Sequence, residues 1–221
     1  TLATSSAASD VYKRQTPPFE ITDRIDVRED LRLEYRYLDL RRDKMQKNLE
    51  LRHKLVRSVR EYHDEAGFIE IETPMMVKWT PEWSGEYIVP SRLHPSNFYV
   101  LPQSPQQLKQ LLIVGGVDKY FQVARCFRDE DLRGDRQPEF TQYEIEMAFV
   151  DQEDVLQEVE ACFHKINHDL AWKKDWKKYL VDGRFLRLTW QEAMESYGSD
   201  KPDIRFEMKL VELSSITVSY T

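Results

Sequence analysis

Apolar residues recur at helical spacing over residues 43–66. Met45, Leu49, Leu55, Val56, Val59, Tyr62 and Ala66 share one face, and charged residues fill the other. This period predicts a long amphipathic helix that Gly67 is placed to end. Residues 68–72 (FIEIE) then alternate apolar and acidic, the period of a strand, until Pro74 breaks it. Residues 79–85 read as a polar loop, and 87–90 and 98–101 as short strands. Ser104-Pro105 has the cap-then-proline form of a helix start, and Gly115-Gly116 that of its stop. Residues 119–127 and 139–149 predict two strong strands, 151–170 a second long helix and 186–188 a short strand. Thr189 opens a helix that runs to about Tyr197.

The ends carry less pattern. Residues 1–15 are rich in Ser and Ala, which predicts disorder or a non-native extension. Residues 16–34 begin with two prolines (TPPFEITD), the composition of a stiff hinge or linker. The main domain is expected over 35–198, with a further domain beginning at 199–221. There is no internal repeat.

The two strong strands are joined by residues 128–138, RDEDLRGDRQP. A tight hairpin needs only about two to five linking residues, so this longer, charged loop reads as functional. Its arginines, Arg128, Arg133 and Arg136, suit a polyphosphate, because guanidinium groups bind phosphate oxygens in two-point geometry. On the second strand Phe140, Gln142, Glu144 and Glu146 point one way. Thr141, Tyr143, Ile145, Met147 and Phe149 point the other. The second set can cover a core. The first offers an aromatic for stacking on a base and carboxylates for an ammonium group or a metal ion. On the preceding strand Gln122, Ala124, Cys126 and Arg128 share a face. Alternation alone favours a sheet with one wet face, on which Glu144 and Glu146 are merely solvated.

Composition adds boundaries. Hydrophobic residues are 41% and charged residues 32%, as in a soluble globular chain. No apolar run of about 18 residues predicts a membrane span. Cys126 and Cys162 stand far apart, which fits a reducing compartment and gives no zinc pattern. His164 and His168, spaced i and i+4, read as surface histidines without a third ligand, so no metal site is expected. The net charge of −7 disfavours a generally basic nucleic-acid surface. Two local clusters remain, Arg41, Arg42, Lys44 and Lys47, and Lys173, Lys174, Lys177 and Lys178. Both read first as solvated faces and second as tRNA contacts.

The segment FRDEDLRGDRQPEFTQYEIE, 127–146, resembles motif two of class II aminoacyl-tRNA synthetases, in the version of the bacterial and organellar aspartyl enzymes. Other segments match in order: PPFEITD resembles the hinge after the anticodon-binding domain, YRYLDLRR the entry to the catalytic domain, and GFIEIETP motif one. LPQSPQQLKQLL is similar to the amino-acid-binding helix, and YGSDKPDIR to the lead into the bacterial insertion domain. The resemblance implies an α+β fold, with a mixed, mostly antiparallel sheet flanked by helices, here incomplete. It implies ATP-dependent activation of L-aspartate and transfer to tRNA(Asp), with Mg²⁺, a homodimer formed through motif one, and no membrane. The compartment implied is the cytoplasm, with mitochondrion and plastid as alternatives. A related enzyme for asparagine or lysine stays open, as does a non-catalytic module that binds a partner or dimerises.

By the same resemblance Arg128 is the catalytic residue, holding the ATP α-phosphate and the carboxylate being activated. Glu130 and Gln137 contact ATP, and Phe140 stacks on adenine. Glu82 closes on the substrate amino group. Lys109 pairs with the aspartate side chain, supported by Ser104, Gln106, Gln142 and Glu144. Gln106 and Lys109, one turn apart, are expected to face the same way. The match also implies a chain cut before motif three and inactive alone. The family usually has aspartate where Glu144 stands, and Gly-Ala/Ser-Arg-Asp where Trp83-Ser84-Gly85-Glu86 stand.

Overall fold

The computed structural model describes residues 16–24, 26–79, 85–131, 134, 136–170, 180–181, 183–206 and 208–213. The predictions for 1–15, Glu82, Trp83, Arg133 and the 173–178 lysines lie outside the described residues. Two compact units divide the chain, one running to Leu170 and one from Ala171.

The first unit opens with two short helices, α1 (Glu29–Glu34) and α2 (Arg36–Asp39), so the stretch expected as a hinge contains a helix. Asp39 is fully buried and ties this entry together. It accepts hydrogen bonds from Arg36 and, at 2.8 Å, from Arg42, and Arg32 lies 3.7 Å away. Burial alone would raise its pKa. The Arg42 hydrogen bond and the charges of Arg42, Arg32 and Arg36 outweigh that and hold the carboxyl below its usual range. Arg42 is itself buried, so it leaves the basic cluster in which the sequence placed it and acts as an internal tie.

Helix α3 (Asp43–Glu65) follows, starting where predicted and ending one residue early, with Ala66 as its C-cap. Its end is a Schellman motif. The Gly67 amide donates to Asp64 O at 3.1 Å and the Phe68 amide to His63 O at 2.8 Å. Gly67 has φ +78°, a conformation costly to any residue with a Cβ. Phe68 packs its ring against His63 with centroids 4.6 Å apart, the apolar contact that accompanies this motif.

Strands β1 (Ile69–Glu70), β4 (Lys119–Phe127) and β5 (Glu139–Met147) form one sheet in the order β1-β4-β5. The β1–β4 pair is parallel and the β4–β5 pair antiparallel over its whole length. Strands β2 (Ile88–Pro90) and β3 (Phe98–Val100) make a separate antiparallel pair. Helix α4 (Gln106–Val114) connects β3 to β4, and α5 (Gln152–Asp169) follows β5. Asp151 caps α5 in a reciprocal capping box with Asp154.

Several expectations shift. The 68–72 strand shortens to two residues. Strand β5 stops at Met147, because Ala148 turns its amide to Asp118 O and Phe149 takes a positive φ of 58°. Helix α4 has Pro105 at its cap position, without a side-chain cap, so Ser104 is not the cap.

Helices α3 and α5 pack together over one face of the sheet. Val59, Cys162 and Ile166 form the buried cluster, with Leu55, Tyr62, Tyr143 and Leu170 against it. His63 is fully buried here, hydrogen-bonded through Nε2 to the Tyr143 hydroxyl and ringed by Tyr62, Phe68 and Phe121. Burial pushes the Cys162 thiol up to about 11, although its bond to Tyr143 opposes this.

The second unit contains a hairpin of β6 (Leu180–Val181) and β7 (Arg184–Phe185), and α6 (Trp190–Tyr197). The strand expected at 186–188 is displaced into this hairpin, since 186–188 have no strand partner. Thr189 caps α6 in a capping box with Glu192, and Gly198 ends it in the left-handed conformation. No described helix is long and apolar enough to cross a membrane.

Desolvation pushes His63 down from 6.5 to about 4, so the folded ring is neutral at pH 7. Between those two values the unfolded chain holds a proton that the folded chain lacks. Stability is therefore complete above pH 6.5 and falls as pH drops toward 4, by about 3 kcal/mol. Urea denaturation at several pH values is expected to show this slope, and His63→Gln to flatten it. An unchanged slope in the variant would assign the acid loss to another group.

Candidate functional site

The site face of the sheet is set by the register of β4 and β5. Cys126 lies opposite Phe140, Ala124 opposite Gln142, Gln122 opposite Glu144, and Tyr120 opposite Glu146. Opposed residues of an antiparallel pair point to the same side. This side therefore carries the predicted row Phe140, Gln142, Glu144 and Glu146. The other side carries Phe121 and Tyr143 toward α3 and α5. The row does not lie on a wet face: Tyr120, Gln122, Ala124 and Cys126 beneath it are all buried, and Glu144 is 8% exposed. Gln122 is fixed there by hydrogen bonds from Thr73, at 3.0 Å, and from the Tyr120 hydroxyl.

Helix α4 delivers Lys109 to this row. Its ammonium Nζ lies 2.7 Å from Glu144 Oε2 and 3.1 Å from Glu146 Oε2, and Lys109 is 7% exposed. Burial alone would lower the lysine pKa. The hydrogen bonds and charges of Glu144 and Glu146 outweigh it and raise the pKa, so the ammonium keeps its proton. One ammonium faces two carboxylates, a formal charge of −1 for the cluster. Two residues away along β5, the Gln142 side-chain oxygen Oε1 is buried with no hydrogen-bond donor among the described residues. A buried acceptor without a donor is costly, so a ligand carrying N–H groups would stabilise it.

At the other end of the row the Arg128 guanidinium sits over the Phe140 ring, 5.0 Å from its centroid. The Arg128 amide donates to Pro138 O at 2.9 Å and closes the neck of the charged loop. Within that loop Arg136 and Glu130 approach to 3.7 Å. Phe140 and Glu144 are four residues apart, roughly 13 Å along a strand. A planar base at Phe140 and a charged side chain at Lys109 could thus belong to one extended ligand, with Arg128 beside the groups that join them.

Next to Arg128, the Asp129 amide donates to Gly85 O at 3.0 Å in an isolated bridge. A Cβ on Gly85 would lie 2.5 Å from Asp129 O, so this approach requires the glycine.

The remaining predicted residues are less engaged. Gln106 opens α4 and is exposed, whereas Lys109 one turn later is buried, so the two do not share an environment. Ser104 lines a cavity of about 260 Å³ with Met76, Val77, Pro105, Gln107 and Leu108. Gln137 is exposed beside the loop neck. Glu82 lies outside the described residues. Sequence reasoning missed Glu146 as a partner of Lys109. Its signal was the i, i+2 spacing from Glu144. His168 is exposed, with Nδ1 3.2 Å from Asp169. Among the described residues no three His, Cys, Asp or Glu side chains are grouped to hold a metal ion.

Residues 28–218 match the family tRNA synthetases class II (D, K and N). The chain is 53% identical over 207 residues to the aspartate–tRNA ligases of Staphylococcus aureus strains Newman and JH1, covering 93% of this chain and 34% of each relative. It thus spans about a third of the length of these curated relatives. A crystal structure from Leishmania major Friedlin, assigned as an aspartyl-tRNA synthetase, superposes with a TM-score of 0.60 at 28% identity. That match covers 71% of this chain and 31% of the other.

Lys109→Met leaves Glu144 and Glu146 without their cation. It is expected to cost about 3 kcal/mol in urea denaturation, because one partner of a buried ion pair stays uncompensated. Adding Glu144→Gln is expected to recover part of that loss. A Lys109→Met chain as stable as the parent would mean that the cluster contributes nothing to folding.

Proposed function

The chain belongs to the class II tRNA synthetases, and on that premise we propose aspartate–tRNA ligase activity for the protein that carries it. The reaction has two steps. A carboxylate oxygen of L-aspartate attacks the α-phosphorus of ATP, and pyrophosphate leaves with the bonding electrons. The terminal ribose hydroxyl of tRNA(Asp) then attacks the acyl carbon, AMP leaves, and the hydroxyl proton is released.

The observation that carries this reading is the buried Lys109 on the same sheet face as Arg128 and Phe140. Phe140 stacks on adenine. Arg128 neutralises charge on the α-phosphate and aligns the attacking carboxylate, so catalysis is mainly positioning and electrostatic. Glu130 and Gln137 hold ATP at the loop. Gln142, with Ser104 and Gln106 in support, and Glu82 bind the amino-acid end. Lys109 takes the aspartate side-chain carboxylate. An asparagine amide cannot neutralise that ammonium, and a lysine ligand would oppose it with like charge. Magnesium accompanies ATP, and a second copy pairs through motif one, β1 with α3.

Calorimetry with non-hydrolysable aspartyl-, asparaginyl- and lysyl-adenylate analogues tests the assignment. The aspartyl analogue is expected to bind most tightly. Arg128→Ala is expected to weaken it by about 100-fold, the scale of one lost transition-state donor. Tighter binding of the lysyl or asparaginyl analogue would overturn aspartate as the substrate.

A further inference from the structure

The cluster around Lys109 contains one carboxylate arm longer than the family's usual one, and its geometry assigns that arm a role. We propose that Glu144 is a specificity-determining residue: it competes with the substrate's side-chain carboxylate for the Lys109 ammonium, and so sets how strongly the pocket selects aspartate. This rests on the reading of the chain as an aspartate-activating domain.

The argument begins with donors. A lysine ammonium has three N–H groups and no acceptor. Glu144 takes one at 2.7 Å and Glu146 another at 3.1 Å. One donor remains. A substrate carboxylate can take that donor through one oxygen, but two-point binding needs a second, which a resident partner must release. The cluster's formal charge of −1 adds repulsion toward any further anion, and burial strengthens it because little water screens the site. Glu146 is held less closely and is more exposed, its side chain at 28% against 10% for Glu144. The tighter contact is therefore the one that limits access to Lys109.

Displacing Glu144 is feasible because the substrate brings its own cation. The Gln142 Oε1 lies on the same face of β5, buried and with no donor among the described residues. An α-ammonium placed between Gln142 and Glu144 supplies that donor and gives the released carboxylate a new partner. The exchange gives every carboxylate a cationic neighbour, with substrate carboxylate and Glu146 on Lys109 and substrate ammonium on Glu144, and leaves the cluster's formal charge at −1. A shorter aspartate at 144 withdraws from Lys109 by about one bond length. It would leave the ammonium more available while keeping a carboxylate for the substrate amine.

The test compares non-hydrolysable aspartyl- and alanyl-adenylate analogues, which share every group except the side-chain carboxylate. The ratio of their dissociation constants isolates the Lys109 contact from general effects on folding or on the amino end. In Glu144→Asp the ratio is expected to shift toward aspartyl by about fivefold relative to the parent, and Glu144→Gln is expected to move it the same way. An unchanged or reversed ratio in both variants, with the aspartyl analogue still preferred by the parent chain, overturns the competition and leaves the aspartate reading standing. A parent chain that binds the two analogues equally, or binds neither, overturns the aspartate reading and the competition with it.

Discussion

Nine antiparallel residue pairs between β4 and β5 set the position of almost every side chain that matters here. Side chains alternate with a period of two, so a slip of one residue would send the whole row to the opposite face. In the observed register Phe140, Gln142, Glu144 and Glu146 face α4, while Tyr143 faces His63 and Cys162 between α3 and α5. One strand thus separates a packed aromatic core from a charged floor. Each side holds the other in register. Moving Tyr143 away from His63 would also carry Glu144 away from Lys109.

The charged floor is costly to build. Removing a lysine and two carboxylates from water is repaid only when geometry and hydrogen bonds are good, and such pairs give little net stability. What they give is position. Lys109 reaches the row because α4 packs across β4 and β5 and stops at the Gly115 cap. Asp39 follows the same logic at the domain entry, where three arginines surround one fully buried carboxylate. In both places a buried charge fixes the orientation of an element that hydrophobic packing alone would leave free to rotate.

Much of this was legible in the sequence because it rests on period. The long helices, both strong strands and the two faces of β5 follow from spacing, and the Gly67 stop from the need for positive φ. The misses have physical causes. Alternation cannot tell a wet face from one covered by a helix arriving from elsewhere in the chain, and only α4 decides that Glu144 is buried. His63 stood four residues after Val59 on the apolar stripe, yet a histidine reads as polar until its neutral, aromatic surroundings are known. Arg42 looked like part of a solvated run because its partner Asp39 is recognised only after α2 and α3 are joined. The strand expected at 186–188 followed an apolar run, but pairing requires a partner, and the turn at Gly183 places it earlier, at Arg184–Phe185.

The departures from the family pattern meet at two points of the site. Glu144 reaches further than an aspartate, and the consequence is a direct 2.7 Å contact with Lys109. Gly85 carries no side chain, and the consequence is a close backbone bridge to Asp129, next to Arg128. Both are contacts that the protein makes with itself around Lys109 and Arg128. A pocket that satisfies its own charges binds less tightly than one that leaves them exposed, unless the ligand offers a matched replacement for each. A ligand that carries both a cation and an anion meets that condition at the Lys109 cluster better than one that carries only one charge. Self-satisfaction of the site therefore weakens binding of any ligand that cannot replace the partner it displaces.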